Sequence, residues 1–265
     1  MKKGVILAVC GVLLVCAVVG GGLAAYFLFF SQSPTKAFKT ALKEVTEGDY
    51  YQMTSDGSMK ANVSAPSMPD FDMTFDMDMS GETKVDIQGA RVYTKSQTSM
   101  EGVTTTTEAY IIGEDYYLKN EGGEWQKVTK EEAGDVSDQM DALKDLSSDS
   151  EYTLLEEQSV SGTDCYHYEV VMDEQALKDF TDSFSAAMQG SNQGDDFSDI
   201  TVDSAKVEIW ISKKDSRIVK SDMKIDKIAV KGTSQGVDLE MTITDVVISS
   251  VYSNWGEKVD LQAPI

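Results

Sequence analysis

The chain is poor in the residues that most often carry chemistry. It has one histidine, three cysteines and four prolines in 265 residues, and 23 Lys+Arg against 45 Asp+Glu. The formal net charge of −22 excludes a nucleic-acid binder, which needs basic groups to displace counterions from phosphates. Cys10 and Cys16 lie in an apolar N-terminal stretch, so Cys165 and His167 are left without the partners of a Cys/His zinc cluster. A disulfide-stapled mini-domain is excluded for the same reason. No H-E-x-x-H, P-loop or G-x-G-x-x-G motif occurs, and neither an enzyme activity nor a cofactor is expected.

What is present begins with an apolar run. Gly4 to Phe30 contains no charged residue and follows Lys2 and Lys3. At about 1.5 Å per residue it is long enough to span the roughly 30 Å of a bilayer core. The positive-inside rule then leaves the N-terminus cytoplasmic and exports the rest. The expectation is an anchor over residues 1–30, an extracytoplasmic domain over 31–265, and a single-pass cell-membrane location. A cleaved signal peptide is the rival reading, because Gly22-Leu23-Ala24 offers small residues to a signal peptidase. The lipoprotein alternative fits poorly, since Val9 and Val15 precede the two cysteines where a small residue is needed.

After the linker Ser31–Pro34, Phe38, Ala41, Leu42 and Val45 recur at helical spacing, which predicts an amphipathic helix over Thr35–Glu47. From there the period becomes two. In Asp70–Ser80, Phe71, Met73, Phe75, Met77 and Met79 alternate with Asp70, Asp72, Thr74, Asp76, Asp78 and Ser80. Such alternation puts one set on each face of a strand. Further strands are predicted at 59–65, 83–88, 91–99, 104–112, 116–119, 125–128, 152–160, 164–172, 202–212, 218–231, 238–252 and 258–261. Glu121-Gly122-Gly123-Glu124 and Ser161-Gly162 read as hairpin turns. Helical spacing returns at Lys130–Leu146 and Asp173–Met188, and Gln189–Ser198 reads as a polar loop.

Short motifs in this order resemble those of the LolA/LolB-like lipoprotein-carrier superfamily, and in particular uncharacterised Gram-positive cell-envelope lipoproteins. They are Gly122-Gly123-Glu124-Trp125-Gln126-Lys127, then Val207 to Asp215 with Trp210 at its centre, then Ile218 to Met223, and the ending from Tyr252-Ser253-Asn254 to Pro264. The resemblance covers about Thr35 to Ile265. It implies an α+β fold: a large curved antiparallel sheet, an incomplete β-barrel, with an N-terminal helix and two inserted helices over its concave face. It also implies a non-enzymatic binding protein that holds a lipid, an acyl chain or a lipid-modified protein in that face.

The candidate lining of such a groove is Phe71, Met73, Phe75, Met77 and Met79, because methionine makes an adaptable apolar surface. An ordinary core face fits the same pattern. The whole chain therefore carries two functional readings. One is a membrane-anchored lipid-binding protein, with the membrane as partner through the N-terminal helix. The other is a structural or protein-interaction module of the cell envelope with a filled core. The aspartates opposite the stripe, and Asp195, Asp196, Asp199 and Asp203, lack EF-hand spacing and read as solvated acid. Cys165 and His167 share a strand face and read as polar or partly exposed surface. Trp125 and Trp210 read as core anchors.

Overall fold

A computed structural model describes residues 37, 40–41, 48–68, 70–120, 122–129, 151–172, 174, 177–178, 181, 196–234, 236–258 and 261–265. Alternating residues in long runs make long strands. The centre of the sheet is built from β1 (Tyr50–Ser64), β2 (Asp72–Asp86), β12 (Ile218–Ser234) and β13 (Val237–Ser253). Around them lie β3 (Arg91–Met100), β4 (Val103–Ile112), β5 (Asp115–Asn120), β6 (Gln126–Val128), β7 (Glu151–Leu154), β8 (Gln158–Val160), β9 (Thr163–Val171), β10 (Asp196–Val202) and β11 (Ala205–Ser212). All thirteen join one antiparallel sheet in the order β6-β5-β4-β3-β2-β1-β13-β12-β11-β9-β7, with β10 on β12 and β8 on β9.

Most neighbours follow in sequence, as a meander does. The long-range join is β1 with β13, which ties the two halves of the chain together over Gln52–Ser64 and Glu240–Ser253. Two-residue turns connect β3 to β4 and β8 to β9. Glu101 and Gly102 have φ of 50° and 79°, and Ser161 and Gly162 have 51° and 84°. Positive φ at both central positions matches the right-handed twist of the flanking strands.

One face of the sheet carries the core. Alternate residues of β1 (Met59, Ala61, Val63), β2 (Phe75, Met77, Met79), β13 (Met241, Ile243) and β12 (Ile228, Val230) are buried. A bulge breaks the period. Asp245 takes φ 54°, and the β1–β13 register shifts between Ser58 and Lys60. Beyond it Val246 and Ile248 continue the buried row one residue out of phase. The extra residue turns outward, where Lys60 Nζ meets Asp245 at 3.0 Å.

Several expectations need correction. The α+β class with helices over a concave face gives way to an all-strand element order among the described residues. Helical backbone is described only at Ala37, Thr40 and Ala41 and at Glu174, Leu177, Lys178 and Thr181. Among the described residues the core cluster draws almost entirely on strand side chains, with Ala41 inside it and Ala37 and Leu177 packed against it. The helix predicted over 130–146 and most of those over 35–47 and 173–188 lie outside the described residues.

The incomplete barrel is corrected to an open sheet. Its end strands β6 and β7 are three and four residues long and do not pair with each other. The membrane-anchored, single-pass topology and the membrane as partner are withdrawn too. Among the described residues no helix is long and apolar enough to cross a membrane. Gly4–Phe30, on which the topology rested, lies outside the described residues.

Candidate functional site

The apolar stripe sits at the centre of the sheet because β2 pairs with β1 along the length of both. Register sets Met73 against Val63, Phe75 against Ala61, Met77 against Met59 and Met79 against Gly57. Large residues of β2 therefore face small ones of β1 at Ala61 and Gly57. That is how two rows of side chains interlock. Phe75, Met77 and Met79 are 8%, 1% and 6% exposed. Phe71 and Met73 are partly buried and pack against the same cluster.

Gly57 gives the measure of this fit. A Cβ there would meet Val247 O at 3.0 Å, Ile248 Cγ1 at 3.2 Å and Met79 Cε at 3.3 Å. A side chain there would make the Met79 methyl or the β13 backbone give by a few tenths of an ångström.

The row ends in hydroxyls. Ser55 Oγ and Ser250 Oγ are 2.8 Å apart, and Thr83 Oγ1 and Thr94 Oγ1 are 3.3 Å apart. Between Met79, Gly81, Thr94 and Ile248 lies a cavity of about 30 Å³. That admits a water molecule, whereas ligand pockets run from about 300 Å³ upward. The expectation of a membrane-anchored lipid carrier is corrected: among the described residues no helix can cross a membrane, and Phe75, Met77 and Met79 are buried within the core cluster.

The opposite face is polar, with Asp70, Asp72, Asp76 and Asp78 all exposed. Among the described residues no group of His, Cys, Asp and Glu is placed to hold a metal ion. Cys165 and His167 do share a strand face, but both are buried, contrary to the surface reading. His167 stacks on Trp210, a contact that sequence spacing could not reveal, because it comes from the β9–β11 register, which runs from Val171 against Lys206 to Cys165 against Ser212.

The His167 and Trp210 rings lie 4.3 Å apart at 10°, and Lys220 Nζ stands 4.6 Å from the indole centroid. Trp210 Nε1 donates to Gln158 Oε1 at 2.9 Å. His167 Nε2 lies 3.1 Å from Glu208 Oε2, and Lys206 and Lys224 reach the other Glu208 oxygen at 3.5 and 3.9 Å. The Cys165 thiol donates to Thr163 O at 3.3 Å, and burial pushes its pKa up. An activated nucleophile is favoured by the reverse shift and by exposure, whereas Cys165 is fully buried.

A third cluster was not anticipated as a unit. Tyr93, Tyr110 and Trp125 come from separate strands and loops and line up on the outer face. Ring centroids are 4.7 Å apart for Tyr93–Tyr110 and 5.2 Å for Tyr110–Trp125. Tyr93 Oη donates to Glu108 at 2.9 Å, and Lys119 Nζ meets the same carboxylate at 3.0 Å. Burial raises the Tyr93 pKa, with the Glu108 contact adding to it. Alternation on β3, β4 and β5 carried the signal for this row, but only the register aligns it.

Residues 40–260 match the family described as a family of unknown function, DUF6612. The chain belongs to that family. Solved structures similar to it include the lipoprotein LppX of Mycobacterium tuberculosis, at 11% identity and TM-score 0.43, covering 85% of this chain and 96% of that one. LprF of Mycobacterium bovis is similar at 15% identity and TM-score 0.42, covering 88% and 99%. A LolA superfamily protein of Nitrosomonas europaea is similar at 12% identity and TM-score 0.22, covering 80% and 93%. The printed names of these structures are those of lipoproteins and of a LolA superfamily protein, all at low identity to this chain. No curated protein matches the chain.

Proposed function

We propose that this chain is a structural or protein-interaction module whose apolar core is filled by its own residues and holds no small ligand. The observation that carries the reading is the interlock of Met79 with Gly57 beside a cavity of about 30 Å³. In this reading Phe71, Met73, Phe75, Met77 and Met79 are packing residues of the core. Residues 31–265 form the working unit, a division supported by the family match over 40–260. The module acts without catalysis. Support for this comes from the raised Cys165 pKa and from the want of a metal-holding cluster among the described residues.

The outer face supplies what a partner could read. Val171, Val247 and Val251 are 51%, 39% and 41% exposed. They stand on the same sheet face as the charges fixed around Glu208 and Asp222, where Ser249 Oγ donates to Asp222 at 2.7 Å. Apolar contacts framed by fixed charge are the ordinary make-up of a protein interface.

The test is titration of the full-length protein with the fluorescent fatty acid cis-parinaric acid. The reading expects no saturable, stoichiometric fluorescence gain. Saturation at one probe per chain, abolished by Met77→Trp, would overturn it.

A further inference from the structure

We propose that the outer face of β1–β5 is a glycan-binding surface that takes a neutral polysaccharide chain. The inference goes beyond the module reading and uses the face of the sheet away from the core. Its failure would leave the filled core untouched, and a lipid found in the core would leave this surface standing.

The surface has two adjoining parts. The first is an open cavity of about 310 Å³, lined by Asp56, Ser80, Gly81, Glu82, Lys95 and Gln97 among others. Its volume is at the lower end of the roughly 300–1,000 Å³ typical of ligand pockets, enough for a sugar unit rather than an ion. Carboxylates, an ammonium, an amide and hydroxyls converge on it. This mixture of donors and acceptors matches the hydroxyl edge of a pyranose, in which every OH both donates and accepts.

The second part is the aromatic row. Register sets Glu82 against Lys95, and the next same-face pair is Lys84 against Tyr93. Tyr93 thus begins about 7 Å from the cavity wall, two residues along the strand. Tyr110 and Trp125 continue the row across β4 toward β6, and all three rings are partly exposed. Aromatic faces pack against the apolar C–H face of a sugar ring, while hydroxyls at the ring edge remain free to hydrogen-bond. A polar cavity leading into an aromatic row is therefore matched to an amphipathic chain of sugars. The interplanar angles of 43° and 63° make the row twisted rather than flat. It suits a single soluble chain, not the planar surface of a crystalline fibre.

Charge decides the kind of glycan. The lysines bordering the rings are already paired. Lys84 meets Glu82 at 3.0 Å, Lys119 meets Glu108 at 3.0 Å and Lys127 meets Asp115 at 2.6 Å. Lys95 is the one further cation in the cavity lining and stands with two carboxylates, Asp56 and Glu82, so the surface does not favour an anionic polymer, and the chain's net charge of −22 repels one. The occupant is a neutral glycan.

The experiment is isothermal titration of the full-length protein with chitotetraose, cellotetraose and, as the anionic comparison, tetragalacturonate. Saturable binding of at least one neutral oligomer is expected. Trp125→Ala and Lys95→Ala should each weaken it about tenfold or more, the worth of one stacking or charged contact. Lys206→Ala, on the same face but far along the sheet, should leave it unchanged. Should Trp125→Ala disturb the fold, the surface variants Lys95→Ala and Gln97→Ala carry the test. No binding of either neutral oligomer, binding unchanged in these variants, or tighter binding of tetragalacturonate would each overturn the proposal.

Discussion

Truncating Met77 to alanine is expected to cost the fold about 3.6 kcal/mol, far more than a groove-lining methionine would. The side chain is 1% exposed, opposite Met59 on one side and Met100 on the other. Met→Ala removes three methylene-sized groups, worth about 0.8 kcal/mol each in transfer from water, or roughly 2.4 kcal/mol. A residual void of roughly 50 Å³ adds about 1.2 kcal/mol at about 24 cal/mol per Å³. Their sum falls inside the 2–5 kcal/mol range seen for such truncations. The assay is urea unfolding followed by circular dichroism, which reports the midpoint and slope together. Met73→Ala, at a partly exposed position of the same stripe, should cost less than half as much. A loss under about 1 kcal/mol for Met77→Ala would refute the reasoning, because a side chain facing an open groove leaves no new cavity when shortened.

Three further outcomes follow from the geometry. Gly57→Ala should destabilise by about 1–3 kcal/mol, since the new methyl must displace the Val247 carbonyl or Met79; equilibrium denaturation measures it. Tyr252, its pKa pushed up to about 12 by burial, contributes stability that is fully present below the ordinary tyrosine pKa and is lost as pH rises toward 12. Absorbance titration at alkaline pH should show its ionisation only as the protein unfolds, and Tyr252→Phe should remove that part of the alkaline loss. Burial pushes the Glu108 pKa up, but hydrogen bonds from Lys119 and Tyr93 outweigh it and leave the pKa lowered. Its contribution is present above the ordinary glutamate pKa and fades as pH falls through the lowered value. Glu108→Gln should therefore flatten the acid limb of a stability-against-pH curve.

Much of the sheet was legible because period-two alternation is a local signal. The predicted strands at 91–99, 104–112, 164–172, 218–231 and 238–252 correspond to β3, β4, β9, β12 and β13 within a few residues. The misses have physical causes. Gly81 suggested a break between two strands, yet β2 runs through it, because a glycine facing the backbone of β3 at Lys95 permits close approach without a turn. β1 begins at Tyr50, well before the expected Met59, since its early residues include polar ones whose pairing comes from β2 and β13. Leu261 is buried but not in a strand; its carbonyl accepts from Arg91 Nη1 at 3.0 Å.

For the candidate sites the boundary is similar. Alternation placed Phe75, Met77 and Met79 on one face. What fills the space beside them depended on Gly57, a strand away. The cover of His167 depended on Trp210, a strand away, and the row Tyr93–Tyr110–Trp125 exists only because three separate segments come together.

The most direct check on the filled core is to make the full-length protein in cells, purify it without detergent, extract it with organic solvent and identify what is released by mass spectrometry. The account predicts no lipid in stoichiometric amount. One lipid per chain, recovered repeatedly and lost in Met77→Trp, would contradict it.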